Sequence, residues 1–378
     1  MRLTYKYRLM PTNSQRTSLE RTLELCRWVY NQTLAMRKDA WEQEQRNVSY
    51  YDSKKMLPLW KADKPALSQV YSQVLQNVTE RVDLAFQAFF RRVKAGEEEV
   101  GYPRFKAYGR YDSFTFTQTG FKLTGDRLTL SKIGDVVIKL HRPICATVKT
   151  LTIQRDAVGN FYACFSCECE PTQLEPVHKV VGIDLGLTTF AYFSDGEKIE
   201  RQRWMKVDAK DIARLQRKKE KLIKGSPERR KVVHALCHAY ERAANRRRNF
   251  AHQESRKLVN QYQFIAFEKL DIQDMQDTNL KTITRGIADV AWGQFVQFTT
   301  YKAEDAGRVV VCVDPRGTTQ MCSGCHAIVK KDLSVRIHDC PHCGLVLNRD
   351  HNAALNILAR GLASINPSSD GIVEAQRL

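Results

Sequence analysis

The sequence predicts a chain of mixed class, a β-sheet unit interrupted by helices and then an α/β unit. Three observations point to this. Apolar residues recur with period two at the start, then with period near four, then again with period two. Beyond residue 178, short apolar runs alternate with amphipathic helical stretches, the pattern of strands and helices sharing one sheet. The length of 378 residues is roughly two to three times that of a typical domain, room for more than one core.

In residues 2–9, Leu3, Tyr5, Tyr7 and Leu9 alternate with Arg2, Thr4, Lys6 and Arg8, a strand with a basic outer face. Pro11 stops it, and Thr12 to Gln15 reads as a capping box opening a helix whose stripe is Leu19, Leu23, Cys26, Tyr30 and Leu34. A second long helix is expected from about Leu67 to Ala95, where Val70, Val74, Val78, Val82, Phe86 and Phe90 recur every four residues before Gly96. From Phe105 to Pro171 the strands are Ser113–Phe116, Val136–Leu140, Val148–Ile153 and Phe161–Cys169, a small antiparallel sheet or barrel. The first strand has no partner within the helical unit, so it is expected to join this sheet, making the helices an insertion. After the turn-rich stretch 171–177, the third unit reads as strand, hairpin, long basic helix, strand, helix, strand, cysteine-bearing insert and helix. The residues from Gly361 on are Ser-, Pro- and Gly-rich and are expected to be a disordered tail.

Charge narrows the class of partner. The chain has 60 Lys and Arg against 42 Asp and Glu, a formal +18, which favours a polyanion. Between Arg201 and Asn260 there are 19 basic and 6 acidic residues, so +13 of the excess lies there, with Arg246, Arg247 and Arg248 in its midst. A basic helix with so few acidic neighbours leaves repulsion for a phosphate backbone to relieve. An anionic membrane is a poorer partner, because no apolar run approaches the ~18 to 20 residues of a spanning helix and the first residues carry no signal-peptide pattern. Eleven cysteines cannot all pair within one chain, and a reducing compartment, the cytoplasm, is expected.

Two sets of residues carry chemistry. Cys322, Cys325, Cys340 and Cys343 form two CxxC knuckles with 14 residues between them, the spacing of a closed, structural tetrahedral zinc site. Cys164 and Cys167 also read CxxC, but in a strand they point to opposite faces and cannot share a metal. Asp184 interrupts Val180–Ile183, Glu268 closes Phe264–Phe267, and Asp350 precedes the run from Asn352 to Leu358. Each alone suits a turn, a strand end or a helix cap. Together they are expected to converge, since ends of parallel strands meet at one edge, where α/β folds place their sites. Three such carboxylates repel by roughly 4 kcal/mol per pair at ~4 Å, so the cluster wants hard cations. Two magnesium ions held with a substrate phosphate suit phosphodiester hydrolysis.

In order along the chain, Gly182-Ile183-Asp184-Leu185-Gly186, Phe267-Glu268-Lys269-Leu270, Thr318 to Cys325, the Cys340/Cys343 knuckle and Arg349-Asp350-His351-Asn352-Ala353-Ala354 resemble the signature of the transposon-encoded TnpB family, relatives of the type V CRISPR effectors. The likeness extends to the N-terminal strand and helices, to Gly101–Lys106 and to Asn245–His252, leaving out only the tail. It implies an RNase H-like, RuvC-type nuclease domain at 178–317 and 347–360, with Asp184, Glu268 and Asp350 as catalytic magnesium ligands. It implies a zinc ribbon at 318–346 and a wedge-like β-barrel at 1–11 and 101–177, split by a helical recognition lobe at 12–100; the tail is 361–378. Two positions depart from the family: Asn348 stands where Asp is usual and His326 where Gly is usual, so the first knuckle's turn is expected to carry strain.

The resemblance further implies a monomer in a ribonucleoprotein. A guide RNA from the transposon end directs cutting of double-stranded DNA beside a short adjacent motif. Candidate nucleic-acid contacts are Ser72, Gln73, Gln76 and Asn77 on the second long helix, with amides suited to base edges, and Thr117, Gln118 and Thr119 in the sheet unit. Tyr5, Lys6, Tyr7 and Arg8 suit RNA stacking or backbone, and Arg246, Arg247 and Arg248 suit phosphates. Two other readings are a nuclease-inactive RNA-guided DNA-binding repressor and a guide-independent zinc-ribbon transposase accessory. All three acids being present speaks against the first of these.

Overall fold

The computed structural model describes residues 1–97, 99–270, 290–332 and 335–365, and the chain forms two compact units, Met1–Glu170 and Pro171–Leu378. The last thirteen residues of the expected tail therefore lie outside the described residues.

The first unit is built on strands β1 (Arg2–Met10), β2 (Ser113–Phe116), β3 (Phe121–Thr124), β4 (Arg127–Leu130), β5 (Gly134–Lys139), β6 (Thr147–Arg155) and β7 (Phe161–Glu168). They form one antiparallel sheet in the order β2-β6-β7-β1-β5-β4-β3, so the N-terminal strand sits at its middle, as its orphaned edges require. The sheet curls until it nearly closes, and Phe116 of β2 and Phe121 of β3 bring their rings within 6.2 Å. Tyr7, Phe114, Phe116, Phe161 and Phe165 are fully buried inside it. Cys167 joins them while Cys164 does not, the opposite facing expected of i and i+3 on a strand.

Three helices lie between β1 and β2, namely α1 (Asn13–Glu44), α2 (Tyr50–Asp63) and α3 (Ser72–Lys94). Thr12 and Gln15 close the expected capping box of α1, and the stripe Leu19, Leu23, Cys26, Tyr30 and Leu34 is buried. The expected helix from Leu67 is broken. Pro65–Gln69 form a short 3-10 turn, and Val70 is extended before α3 begins. Val74, Val78, Val82 and Phe86 are buried as the four-residue recurrence demands, whereas Phe90 ends the stripe in solvent.

The second unit carries β8 (Val180–Leu185), β9 (Thr189–Phe193), β10 (Lys198–Glu200), α4 (Trp204–Glu220), α5 (Pro227–Gln261), β11 (Phe264–Glu268), α6 (Trp292–Ala306), β12 (Val309–Val313), a small hairpin β13 (Ile337–Asp339) and β14 (Val346–Asn348), and α7 (Arg349–Ile365). Its main sheet has the order β10-β9-β8-β11-β12, with β8, β11 and β12 parallel and β9 and β10 antiparallel. Side-chain alternation divides the sheet. Val181, Ile183 and Leu185 pack with Ile265 and Phe267 against α5 and α6, while Phe264, Ala266 and Val313 pack with Ile357 and Leu358 of α7 on the opposite face.

The expected long basic helix is a helical hairpin, α4 and α5, turned at 221–226, where Arg229 donates to the carbonyls of Lys219 and Leu222. Nor is its charge wholly unpaired: buried Asp208 accepts from Arg246 at 2.9 Å and faces Arg242 at 3.9 Å. The expected tail is corrected at its start. Residues 361–365 continue α7, and Gly361 lies so close to the sheet that an added Cβ would meet Ala266 at 2.6 Å.

Candidate active site

Strand register brings the first two acids together. In the parallel ladder Ala266 pairs with Gly182 and Phe267 with Ile183, so one step further Glu268 stands beside Asp184 at the ends of β11 and β8. Both belong to the sheet face covered by α7, as alternation from Phe264 and Val180 dictates. The third acid reaches this place because α7 crosses β8 almost in backbone contact. A Cβ on Gly182 would lie 2.2 Å from the Ala354 carbonyl oxygen and 2.5 Å from the Leu358 nitrogen. Asn348 caps this helix, its side-chain oxygen accepting from the Asp350 nitrogen at 2.9 Å, and so Asp350 lies in the first turn. His351 fixes the same turn to the sheet, through a contact of its Nε2 with the Ser194 carbonyl (3.0 Å) and a stack on Tyr192, the residue paired with Asp184.

The electrostatics are those of an unneutralised anion site. Burial, reinforced by Asp350, pushes the Asp184 carboxyl up to about 7, against the opposing pull of Arg349. Burial and the Asp184 charge push Glu268 up to about 8, and the two carboxyls share a hydrogen bond. Asp350 takes a different partner: the Arg349 guanidinium at 3.3 Å, with Arg336 at 4.0 Å. The acids converge loosely. Among the described residues only the cysteine quartet has three or more such ligand atoms all within 4.8 Å of one another. A buried and a half-buried carboxyl retaining protons beside a third fit a divalent cation, which would replace those protons.

The cysteines fit a tetrahedral metal more directly. Their four sulfurs lie within 4.8 Å, with Cys322 to Cys343 and Cys325 to Cys340 both at 3.6 Å. Each knuckle turns back on itself: His326 donates to the Cys322 carbonyl and Gly344 to the Cys340 carbonyl, both at 2.9 Å. These two residues occupy the same place in their knuckles with φ of 62° and 73°, so the strain expected of a side chain at His326 is present in its backbone.

Several functional-looking residues carry no sequence signal of their own. Asn352 accepts from the Ser323 nitrogen (2.9 Å) and donates to the Met321 carbonyl (2.8 Å), and Asn356 donates to the carbonyls of Thr318 and Met321. Two fully buried amides thus tie the first knuckle to the helix that carries Asp350. Their spacing of four on an otherwise apolar helix face was the available hint. Arg336 could not have been found, because its reach to Asp350 follows from the fold of the insert.

The candidate nucleic-acid residues divide. Gln73 accepts from the Thr119 nitrogen at 3.3 Å, and Tyr71 shares a 2.8 Å hydrogen bond with Thr119, so the start of α3 and residues 117–119 form one place. Ser72 accepts from Lys61 there, Gln76 is half-buried, and Gln118 is exposed. Asn77 is engaged by Glu80 and Arg81, which anchors α3 to Ser113 and Thr115. Lys6 and Arg8 lie on the outer face, Lys6 over the Tyr162 ring and Arg8 donating to Asn160. Tyr5 turns inward beneath Arg142, and Tyr7, fully buried and donating to the Arg142 carbonyl, presents no stacking face. Arg246 is held by Asp208, Arg247 is half-buried, and Arg248 is exposed.

Comparison with known proteins agrees with this layout. Family models described as "Probable transposase", "Cas12f1-like, TNB domain" and "Helix-turn-helix domain" match residues 164–279, 292–357 and 1–46. The last span holds β1 and the single continuous helix α1. A "Putative RNA-guided DNA endonuclease" of Streptomyces pristinaespiralis is 34% identical, covering 97% of this chain and 91% of that protein. InsQ of Escherichia coli K12, with the same description, is 29% identical over 95% and 92%. The Cas12f1 endodeoxyribonuclease of Sulfoacidibacillus thermotolerans is 30% identical over 54% of this chain and 51% of its own. In fold, the chain is similar to Cas12f1 as seen in its complex with guide RNA and target DNA, at a TM-score of 0.59 and 13% identity, over 91% and 82% of the two chains. By near full-length identity to such relatives and by the transposase and Cas12f1-like models that its second unit satisfies, the chain belongs to the TnpB family, related to the type V effectors.

Proposed function

We propose that this protein is the RNA-guided DNA endonuclease of a transposable element, cutting double-stranded DNA beside a short adjacent motif by two-metal phosphodiester hydrolysis. The carrying observation is the convergence of Asp184, Glu268 and Asp350 on one sheet face, Asp184 buried, Glu268 half-buried and both raised in pKa. The parallel β8-β11-β12 core flanked by an antiparallel hairpin supports an RNase H-like, RuvC-type reading of the second unit. The printed activities of its relatives support the RNA and DNA partners.

In this reading Asp184, Glu268 and Asp350 would together hold the two magnesium ions. When bound, the ions supply charge neutralisation at the scissile phosphate and acidify the attacking water. The chain holds its carboxylates ready on backbone fixed by the Gly182 crossing, and Arg349 and Arg336 balance the charge of Asp350. The cysteine quartet would hold a structural zinc, and exposed basic residues of α4 and α5 would meet phosphate. Retention of all three acids favours cutting over a purely repressive role.

Asp184→Ala, purified with its RNA, should lose plasmid cutting by at least about 10³-fold, the scale of a removed transition-state contact, with RNA binding unchanged. Undiminished cutting by the variant overturns the assignment.

A further inference from the structure

Residues 101–110 of the first unit, Gly-Tyr-Pro-Arg-Phe-Lys-Ala-Tyr-Gly-Arg, form neither helix nor strand, yet they are clamped in place. Asn31 of α1 accepts from the Lys106 nitrogen at 2.8 Å, and Asn31 and Arg27 both donate to the Lys106 carbonyl at 3.0 Å. Further on, Arg155 donates to the Gly109 carbonyl at 3.1 Å. A backbone fixed on both sides leaves little freedom for the side chains between to retreat into the core. Phe105 is 53% and Tyr108 84% exposed, and neither makes a ring contact among the described residues. Tyr102, 40% exposed, is set edge-on against Phe86 at 5.5 Å and Phe89 at 5.3 Å, which fixes its outer face.

Three aromatics at every third position, held open to water, are an unfavourable surface that a partner must cover. Charge says which partner. Arg104 and Arg110 are exposed without an ion pair among the described residues, and no acid occurs from Val100 to Tyr111, although Glu97, Glu98 and Glu99 lie just before and Asp112 just after. Alternating cations and aromatic faces match alternating phosphates and bases of an unpaired strand, whereas a duplex hides its base faces. Resting on the function proposed above, in which the chain carries its RNA to the target, RNA is the strand of choice.

We propose that Tyr102, Phe105 and Tyr108 form a stacking platform for unpaired bases of the bound RNA, with Arg104 and Arg110 meeting the phosphates between them.

The test uses the full chain stripped of nucleic acid at high salt, with labelled oligo(U) of about 12 nucleotides, oligo(dT) of equal length and a DNA duplex as probes. Phe105→Ala/Tyr108→Ala should weaken oligo(U) binding about fivefold to a hundredfold for each base unstacked, with the salt dependence unchanged. Duplex affinity should be unaltered, and Phe105→Tyr/Tyr108→Phe should bind oligo(U) as the parent does. Unchanged oligo(U) binding, an equal loss on duplex, or a loss on oligo(dT) alone overturns the platform. So does a changed molecular mass of the stripped variant in light scattering, which would make the strip an interface with a protein. Failure of the parent chain to bind any of the probes overturns the proposed function instead.

Discussion

Asp184 and Glu268 keep their protons at pH values where solvent carboxyls have lost them, because a buried charge loses hydration and each also faces a second acid. The folded chain therefore binds more protons than the unfolded chain between the ordinary carboxylate range and about 7 to 8. Its stability without divalent cations must fall as pH rises through that window, the sign being set by raised folded-state values. We expect the melting temperature of the second unit, zinc-loaded and magnesium-free, to drop on the order of 5 °C from about pH 5 to about pH 8. Asp184→Asn should flatten that slope, and magnesium should stabilise the parent more at the higher pH, both read by calorimetry. A slope identical in parent and variant would remove the shared-proton picture. These acids were legible in the sequence because each closes an apolar run, where a charge needs a reason. Arg336, Asn352 and Asn356 were not, since a lone arginine or amide acquires meaning only from what the fold sets against it.

The crossing of α7 over β8 is the element-scale feature on which the acid cluster depends. At most strand positions a glycine weakens packing, but here the helix backbone occupies the space a side chain would need. Gly182→Ala should destabilise the second unit by about 3 kcal/mol or shift α7, in the upper range for overpacking, because backbone atoms cannot rotate away. Urea unfolding with an unchanged m-value and a lower midpoint is the expected reading, with cutting reduced even where the variant is folded; parental stability would contradict the close approach. Strands β1, β2, β5, β6 and β7 were legible from alternation, β8 and β11 from short apolar runs, and α1 from its capping box and stripe, because local pattern and burial agree there, whereas β3 and β4, four residues each, were missed. The breaks were less so. The 3-10 turn before α3 keeps Val70 buried while abandoning helical dihedrals, so the four-residue recurrence runs straight through it. The turn between α4 and α5 was marked, by Gly225 at positive φ, the Ser226 cap and Pro227 at the first helical position, and only the basic residues on both sides of it suggested one helix, whereas the tertiary pairing of Asp208 with Arg246 spans 38 positions that no helical spacing rule joins. Gly361 reads as the start of a tail but serves as a contact point, the converse error from the same residue type.

Across the whole molecule, stability is divided between two separate cores, one inside the curled sheet and its helices, the other on the two faces of the mixed sheet. The insert between β12 and α7 has little core of its own. Ile328, Ile337 and Val346 are exposed, and the two knuckles close around four thiols rather than around apolar side chains. Such a segment relies on its metal for order. It also shares hydrogen bonds with α7: the partners of Asn352 and Asn356 are backbone groups of Thr318, Met321 and Ser323, immediately around Cys322. Loss of zinc should therefore act at a distance, freeing those backbone groups, leaving two buried amides unsatisfied and loosening the turn that presents Asp350. We expect chelation of zinc from the RNA-bound protein, verified by metal analysis, to abolish cutting while the melting of the first unit stays unchanged. Asn356→Ala, which keeps all four thiols, should retain zinc yet raise the magnesium concentration needed for half-maximal cutting, because it loosens the helix without emptying the knuckles. Full cutting by zinc-free protein would separate the cysteine insert from the acids, and the clamp would then be a stabilising contact without influence on the site.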